Sequence, residues 1–275
     1  MKPRALILRA AGTNCDRETA HAFELAGAKS KILHVNRLLQ RPTLLQEHQL
    51  LAIPGGFSYG DDIAAGRILA NQIVHHLHDA LHEFVIAGKP VIGICNGFQV
   101  LIKTGLLPGP LPNSRRSAQT CTLTNNDSGR FVDCWVNVSS KSSKCVWTAG
   151  LEPMALPVAH GEGKFAPADD QVRKELWASD QVALTYSRSD GTAANGKFPD
   201  NPNGSVDDIA GICDGTGLVF GLMPHPERHV SPLQSPGWTS ALFGSNAQNL
   251  TGSAPGLAVF RRAVGFVLNH SFTEV

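Results

Sequence analysis

Eleven residues, Lys89-Pro90-Val91-Ile92-Gly93-Ile94-Cys95-Asn96-Gly97-Phe98-Gln99, constrain this chain more than any other stretch. Val91 to Ile94 is a β-branched run after the break Gly88-Lys89-Pro90, and it predicts a short buried strand. Asn96 to Lys103, with Phe98, Val100, Leu101 and Ile102, reads as the helix that follows. Cys95 sits at the joint, with a glycine two residues to either side. This is the thiol form of the G-x-S-x-G turn, which exposes one strained side chain between a strand and a helix. A Cβ at Gly93 or Gly97 would crowd such a turn. The helix start supplies N–H groups and a positive dipole end, both of which favour a thiolate. The competing reading is a structural cysteine in an α/β core, because free cysteines often serve as small hydrophobes.

The joint fits a wider alternation. Ala5 to Leu8, Ile32 to Val35 and Leu50 to Ile53 read as strands, with a helix near Glu18 to Leu25 that Asp16 is placed to cap. Strand–helix–strand order with short connections predicts a mostly parallel sheet covered by helices. Leu69, Ile73, Leu77, Leu81, Phe84 and Val85 form one stripe and predict a long amphipathic helix. His75, His76, His78 and His82 crowd that helix, mostly off the stripe, and read as a solvated face rather than a metal site. Further on, Gln119 to Leu123 and Arg130 to Val138 flank the turn cluster Asn125-Asn126-Asp127-Ser128-Gly129 and read as a hairpin. The fold class expected is therefore α/β, a mostly parallel central sheet with flanking helices and an added antiparallel hairpin region. With 275 residues, 42% of them hydrophobic, one domain spanning 1–275 is expected. The Ser-, Pro-, Gly- and Asn-rich stretch 231–255 is expected to be a loop insertion, and Gly256 to Leu268 a closing helix.

A formal charge of +1 gives no basic field for nucleic acid or an anionic membrane surface. No apolar run approaches the ~20 residues that span a bilayer. The six cysteines lack metal-ligand spacing, so no metal is expected, and a reduced cytoplasmic setting fits them. No G-x-x-x-x-G-K-[ST] phosphate loop occurs, so no cofactor is expected in this chain.

A thiol of ordinary pKa needs a base, and the base needs an orienting partner. His225-Pro226-Glu227 offers both, since residues i and i+2 of an extended segment point the same way. Gly55-Gly56, at the end of the third strand, offers backbone N–H groups to a developing oxyanion. The residue after an elbow nucleophile donates there too, which adds Asn96. Taken singly, each of these has a bland reading: a capped turn histidine, a solvated carboxylate, an ordinary βα turn. Jointly they read as a Cys95–His225–Glu227 acyl-transfer site.

Gly-Ile-Cys-Asn-Gly-Phe-Gln with a downstream Pro-His-Pro-Glu resembles the class I, or triad, glutamine amidotransferases. Four further stretches narrow the resemblance to the glutaminases that serve an ATP-dependent synthetase of purine biosynthesis. They are Gly12-Thr13-Asn14-Cys15-Asp16, Gly55-Gly56-Phe57-Ser58-Tyr59-Gly60-Asp61, Ala159-His160-Gly161-Glu162-Gly163 and Gly221-Leu222-Met223-Pro224-His225-Pro226-Glu227-Arg228. The resemblance implies glutamine as substrate, attack by Cys95, proton transfer through His225, and an oxyanion hole at Gly56 and Asn96. It makes Gly55, Phe57 and Gln99 candidates for the glutamine pocket and leaves His160 and Glu162 at a site edge or interface. It also implies a synthetase partner that holds ATP and magnesium, with a small accessory subunit as a further candidate. The alternatives are a glutaminase for another synthetase, a free-standing cysteine hydrolase, and a glutamine-binding module without turnover.

Overall fold

Short apolar runs, each ended by a glycine or a polar turn, set the element order. The computed structural model describes residues 2–61, 64–109, 119–243 and 252–270. The first half alternates: β1 (Arg4–Arg9), α1 (Asp16–Leu25), β2 (Lys29–His34), α2 (Val35–Gln40), β3 (Leu50–Ile53), α3 (Arg67–His76), α4 (His78–Ile86), β4 (Val91–Ile94) and α5 (Asn96–Lys103). The second half is strand-rich: β5 (Cys121–Thr124), β6 (Val132–Ser140), β7 (Met154–His160), β8 (Lys164–Pro167), α6 (Asp170–Ala178), β9 (Val182–Ser187), β10 (Ile209–Cys213), β11 (Val219–Leu222), α7 (Trp238–Phe243) and α8 (Gly256–Asn269).

One nine-stranded sheet, ordered β2-β1-β3-β4-β11-β10-β9-β6-β7, organises the chain. From β2 to β11 all neighbours are parallel, and from β11 to β7 all are antiparallel. β3, β4, β10 and β11 are buried at every position, as strands covered on both faces must be. α8 packs Leu257, Phe260, Val264 and Val267 inward as its spacing predicts, with Phe260 edge-on to Phe23 of α1 at 5.0 Å. The expected fold class holds, and β4 followed by α5 forms where the elbow reading put it.

Several local expectations fail for physical reasons. The two runs around Asn125–Gly129 do not pair with each other. β5 pairs with β8, and β6 pairs with β7 and β9. Asn126 explains the diversion: its N–H bonds Gly161 O at 2.9 Å, and its amide reaches the His160 and Arg130 carbonyls at 2.8 and 2.9 Å. The loop is thus tied to the β7–β8 turn instead of closing a hairpin. The long helix is two helices, broken at Leu77 (φ −124°, ψ 0°), yet Leu69, Ile73, Leu77, Leu81 and Phe84 all stay buried. The apolar stripe survives the kink because burial, not helical continuity, holds it. Val35 opens α2 rather than ending β2, where the His34 ring caps the Asn36 N–H at 3.2 Å. Asp16 is the first residue of α1, not its cap; its carboxylate takes the Arg9 guanidinium and the Arg17 N–H. Within 231–255 a Ser231-capped turn (Pro232–Gln234) and α7 form, and residues 244–251 lie outside the described ones.

Candidate active site

Parallel strands deliver their C-terminal ends to one edge of the sheet, where open α/β folds place their sites. Here that edge gathers the residues after β1, β3, β4, β7 and β11. Cys95, at the end of β4, has φ 52° and ψ −106°, a strained backbone for a residue with a Cβ. Its N–H is fixed to Leu222 O at 2.8 Å, and its carbonyl accepts the Phe98 and Gln99 N–H groups of α5. The turn tolerates no side chain at its flanks. A Cβ on Gly97 would strike the Ile53 carbonyl, and one on Gly93 would strike the backbone of Gly97 and the Leu101 side chain.

His225 follows β11 and is buried, as is Glu227. The expected extended segment is instead a tight 3-10 turn over Pro226–Arg228. The turn achieves the same end by curling the carboxylate back, and His225 Nδ1 meets Glu227 Oε1 at 2.6 Å. The His225 N–H is anchored on Pro157 O of β7 at 2.8 Å, so the antiparallel half holds this residue in place. Burial pushes the His225 pKa down, but the Glu227 charge, then Cys95 and Cys15, outweigh it, and the net shift is well above the usual range. Nε2 is buried without a partner that meets hydrogen-bond geometry. Cys95 nonetheless acts on this ring as a charge and as a side-chain partner.

Gly56 has φ +139°, and a Cβ there would meet Asn14 N at 2.7 Å and Gly12 O at 2.8 Å. The loop after β3 is thereby locked onto the loop after β1. Gly55 lies against the His225 ring. Asn96 sits at the start of α5 and is buried; its Oδ1 accepts the Ser58 N–H at 3.3 Å and its amide donates to Gln99 Oε1 at 2.9 Å. Gln99 is buried as well, with its amide on the Glu162 carbonyl at 2.6 Å. It therefore ties α5 to the His160–Gly163 turn. Phe57 is 47% exposed, facing Phe131 at 6.5 Å, at the rim rather than the floor.

His160 ends β7 on the same edge. Its Nδ1 is paired with Asn126 Oδ1 at 3.1 Å, and its Nε2 is buried and unpaired. Burial first, and repulsion from His225 second, lower its pKa to about 4, so it is neutral at physiological pH. His75, His76, His78 and His82 are all exposed on α3 and α4.

The reading of the residues missed Cys15 as a neighbour of His225. Its Sγ lies 4.0 Å from His225 Nδ1 and accepts the Arg228 guanidinium at 3.1 Å. Burial pushes this thiol's pKa up. Cys15, His225 and Glu227 bring donor atoms within 4.8 Å of one another, a group of metal-ligand type among the described residues. The signal was available, because Cys15 follows β1 and strand ends converge; 210 residues of separation hid it.

The arrangement equips this edge for nucleophilic attack with proton transfer. Residues 2–267 match the CobB/CobQ-like glutamine amidotransferase domain family. A phosphoribosylformylglycinamidine synthase subunit PurQ of Dehalococcoides mccartyi is 45% identical over 264 residues, covering 96% of this chain and 97% of the relative. The subunit of the same name from Treponema denticola is 46% identical over 241 residues, covering 84% and 89%. Among solved structures, that of PurLQS from Thermotoga maritima is similar at TM-score 0.70 and 31% identity, covering 97% of this chain and 99% of that one. A glutamine amidotransferase from Thermotoga maritima, at TM-score 0.54 and 15% identity, covers 98% and 100% and shares the fold.

Proposed function

The chain belongs to the CobB/CobQ-like glutamine amidotransferase domain family, and from that membership and the site's geometry we propose how it works. It is a glutamine amidotransferase of purine biosynthesis. It hydrolyses glutamine and supplies the ammonia to a synthetase that converts formylglycinamide ribonucleotide to formylglycinamidine ribonucleotide.

Cys95 is the nucleophile. Its sulfur attacks the glutamine carboxamide carbon while His225 holds the thiol proton. The oxyanion that forms is met by the Gly56 and Asn96 N–H groups, at the loop after β3 and the start of α5. The tetrahedral species collapses, the C–N bond breaks, and His225 gives its proton to the departing ammonia. Water, deprotonated by the same ring, then cleaves the thioester and releases glutamate. Glu227 never touches substrate; it orients the ring and stabilises the imidazolium. Gly55 and Phe57 border the glutamine pocket, and Gln99 shapes it through its hold on Glu162. The single observation that carries this reading is the 2.6 Å His225–Glu227 pair beside a thiol on a strained elbow.

ATP and magnesium belong to the partner, the synthetase subunit of phosphoribosylformylglycinamidine synthase, with a small accessory subunit as a further member. The chain acts as one amidotransferase domain with 231–255 inserted in it. No described helix is long and apolar enough to cross a membrane. Free thiols on all six cysteines support a reduced, cytoplasmic setting. The test is Cys95→Ala assembled with the synthetase. Glutamine-driven synthesis should vanish and ammonia-driven synthesis survive, because the thiol makes ammonia but does not use it. Retained glutamine turnover would refute the assignment.

A further inference from the structure

Cys15 has no part in the proposed reaction, yet it is buried beside the base. We propose that Cys15, His225 and Glu227 form a binding site for a thiophilic divalent cation, with Zn²⁺ the best fit, and that its occupancy shuts off glutamine hydrolysis. The inhibitory half rests on the roles proposed above for His225 and Glu227; the binding half does not.

The geometry comes first. Cys15 Sγ is 4.0 Å from His225 Nδ1, Nδ1 is 2.6 Å from Glu227 Oε1, and each of the three residues offers a ligand atom within 4.8 Å of the other two. Zinc bonds of about 2.0 Å to nitrogen or oxygen and about 2.3 Å to sulfur put tetrahedral ligands about 3.3–3.6 Å apart. Sub-ångström shifts of three side chains therefore reach a ligand set. A second observation points the same way: Glu227 Oε2 is fully buried and has no hydrogen-bond partner. An unpaired buried carboxylate oxygen is costly, and a cation relieves that cost.

The donor set is one thiolate, one imidazole and one carboxylate. Sulfur selects against magnesium and calcium, and the mixed S, N and O set suits zinc, which imposes no strict geometry of its own. Thiolate and carboxylate together neutralise a dication. Binding displaces the Cys15 thiol proton and moves the neutral ring's single proton from Nδ1 to Nε2, leaving Nδ1 to the metal. Arg228, now on Cys15, has an alternative partner in Glu18 at 3.5 Å, and its side chain is 34% exposed, so it can withdraw. The metal then occupies the ring atom that Glu227 uses for orientation. A ring held through Nδ1 by an ion cannot take up the proton that attack by Cys95 releases.

The test uses the full chain carrying Cys95→Ala, which removes capture of metal by the Cys95–His225 pair. Zn²⁺ is titrated against a chromophoric chelator, and Co²⁺ is added separately to look for a thiolate-to-cobalt charge-transfer band. One ion per chain and a thiolate band are expected. Adding Cys15→Ser should abolish the band and weaken zinc binding by ~100-fold or more, because an outer-shell partner alone is worth 10–100-fold. Absence of the band in Cys95→Ala overturns the site without need of the second variant. In the wild-type complex, Zn²⁺ at site-filling concentration should stop glutamine-driven synthesis, spare ammonia-driven synthesis, and be reversed by chelator. Unchanged zinc inhibition in Cys15→Ser would overturn the switch. Failure of these arms leaves the Cys95 assignment standing, and loss of that assignment leaves the binding arm readable.

Discussion

The two halves of the sheet carry different parts of the work. The parallel half, β2 to β11, ends in the groups proposed to react: Cys95 after β4, Gly55-Gly56 after β3, His225 and Glu227 after β11. The antiparallel half, β10 to β7, supplies groups that hold them. Pro157 O fixes the His225 backbone, Ala159 O lies 3.8 Å from the Cys95 sulfur, and the His160–Gly163 turn is clamped to α5 through Gln99. The difference teaches that chemistry here comes from strand ends and short turns, while positioning comes from strands paired across the chain. Changes in the first half should strike turnover, and changes in the second should strike stability and geometry.

The comparison is tested hardest at His225. His225→Ala should lower glutaminase turnover by ~10²–10⁴-fold in the assembled complex, the usual cost of a positioned acid–base group. A loss confined to glutamine affinity would break the division. Glu227→Gln should cost less than that upper end, with little change in glutamine KM. Without its charge, burial prevails and the His225 pKa falls, which a proton titration of the ring by NMR would show. An unchanged ring pKa and unchanged turnover would leave a Cys95–His225 dyad.

On the antiparallel side, His160 predicts a stability effect. Its folded pKa, about 4, lies below the ordinary 6.5, so below pH 6.5 the unfolded chain binds the extra proton. Stability should therefore rise as pH goes from about 4 to about 6.5, by on the order of 3 kcal/mol from this group. In His160→Gln that slope should flatten in urea unfolding at pH 4.5 and 7, with turnover reduced far less than in His225→Ala. The smallest effect belongs to the exposed histidines of α3 and α4. Replacing His75, His78 and His82 by Gln should leave both turnover and stability near wild type, and a marked loss of turnover would bring that face into the site.

Legibility in the sequence followed the same division. The elbow was readable because Gly93, Cys95 and Gly97 constrain one another within five residues, and His225 with Glu227 because their bond closes over two. The parallel order of β1 to β4 followed from strand–helix–strand alternation with short connections. The antiparallel half was misread where pairing is long-range: Asn126 sends β5 to β8 through contacts with Gly161 and His160, and no local pattern announces that. The kink at Leu77 was hidden because its apolar stripe continues through it. Cys15 escaped because its neighbour is 210 residues away, although its place after β1 pointed to the same edge.

The most direct test of the central claim asks which thiol glutamine meets. The assembled complex is treated with a glutamine-like electrophile, and the modified cysteine is mapped by mass spectrometry. Cys15, Cys121, Cys134 and Cys213 all have thiol pKa values raised, that of Cys121 to about 12, and Cys145 is fully buried. Only Cys95 combines the elbow, the helix start and a place beside the free face of His225. Labelling should fall on Cys95 alone and be prevented by glutamine. Labelling of Cys15 first, or of any other cysteine at a comparable rate, would contradict the account.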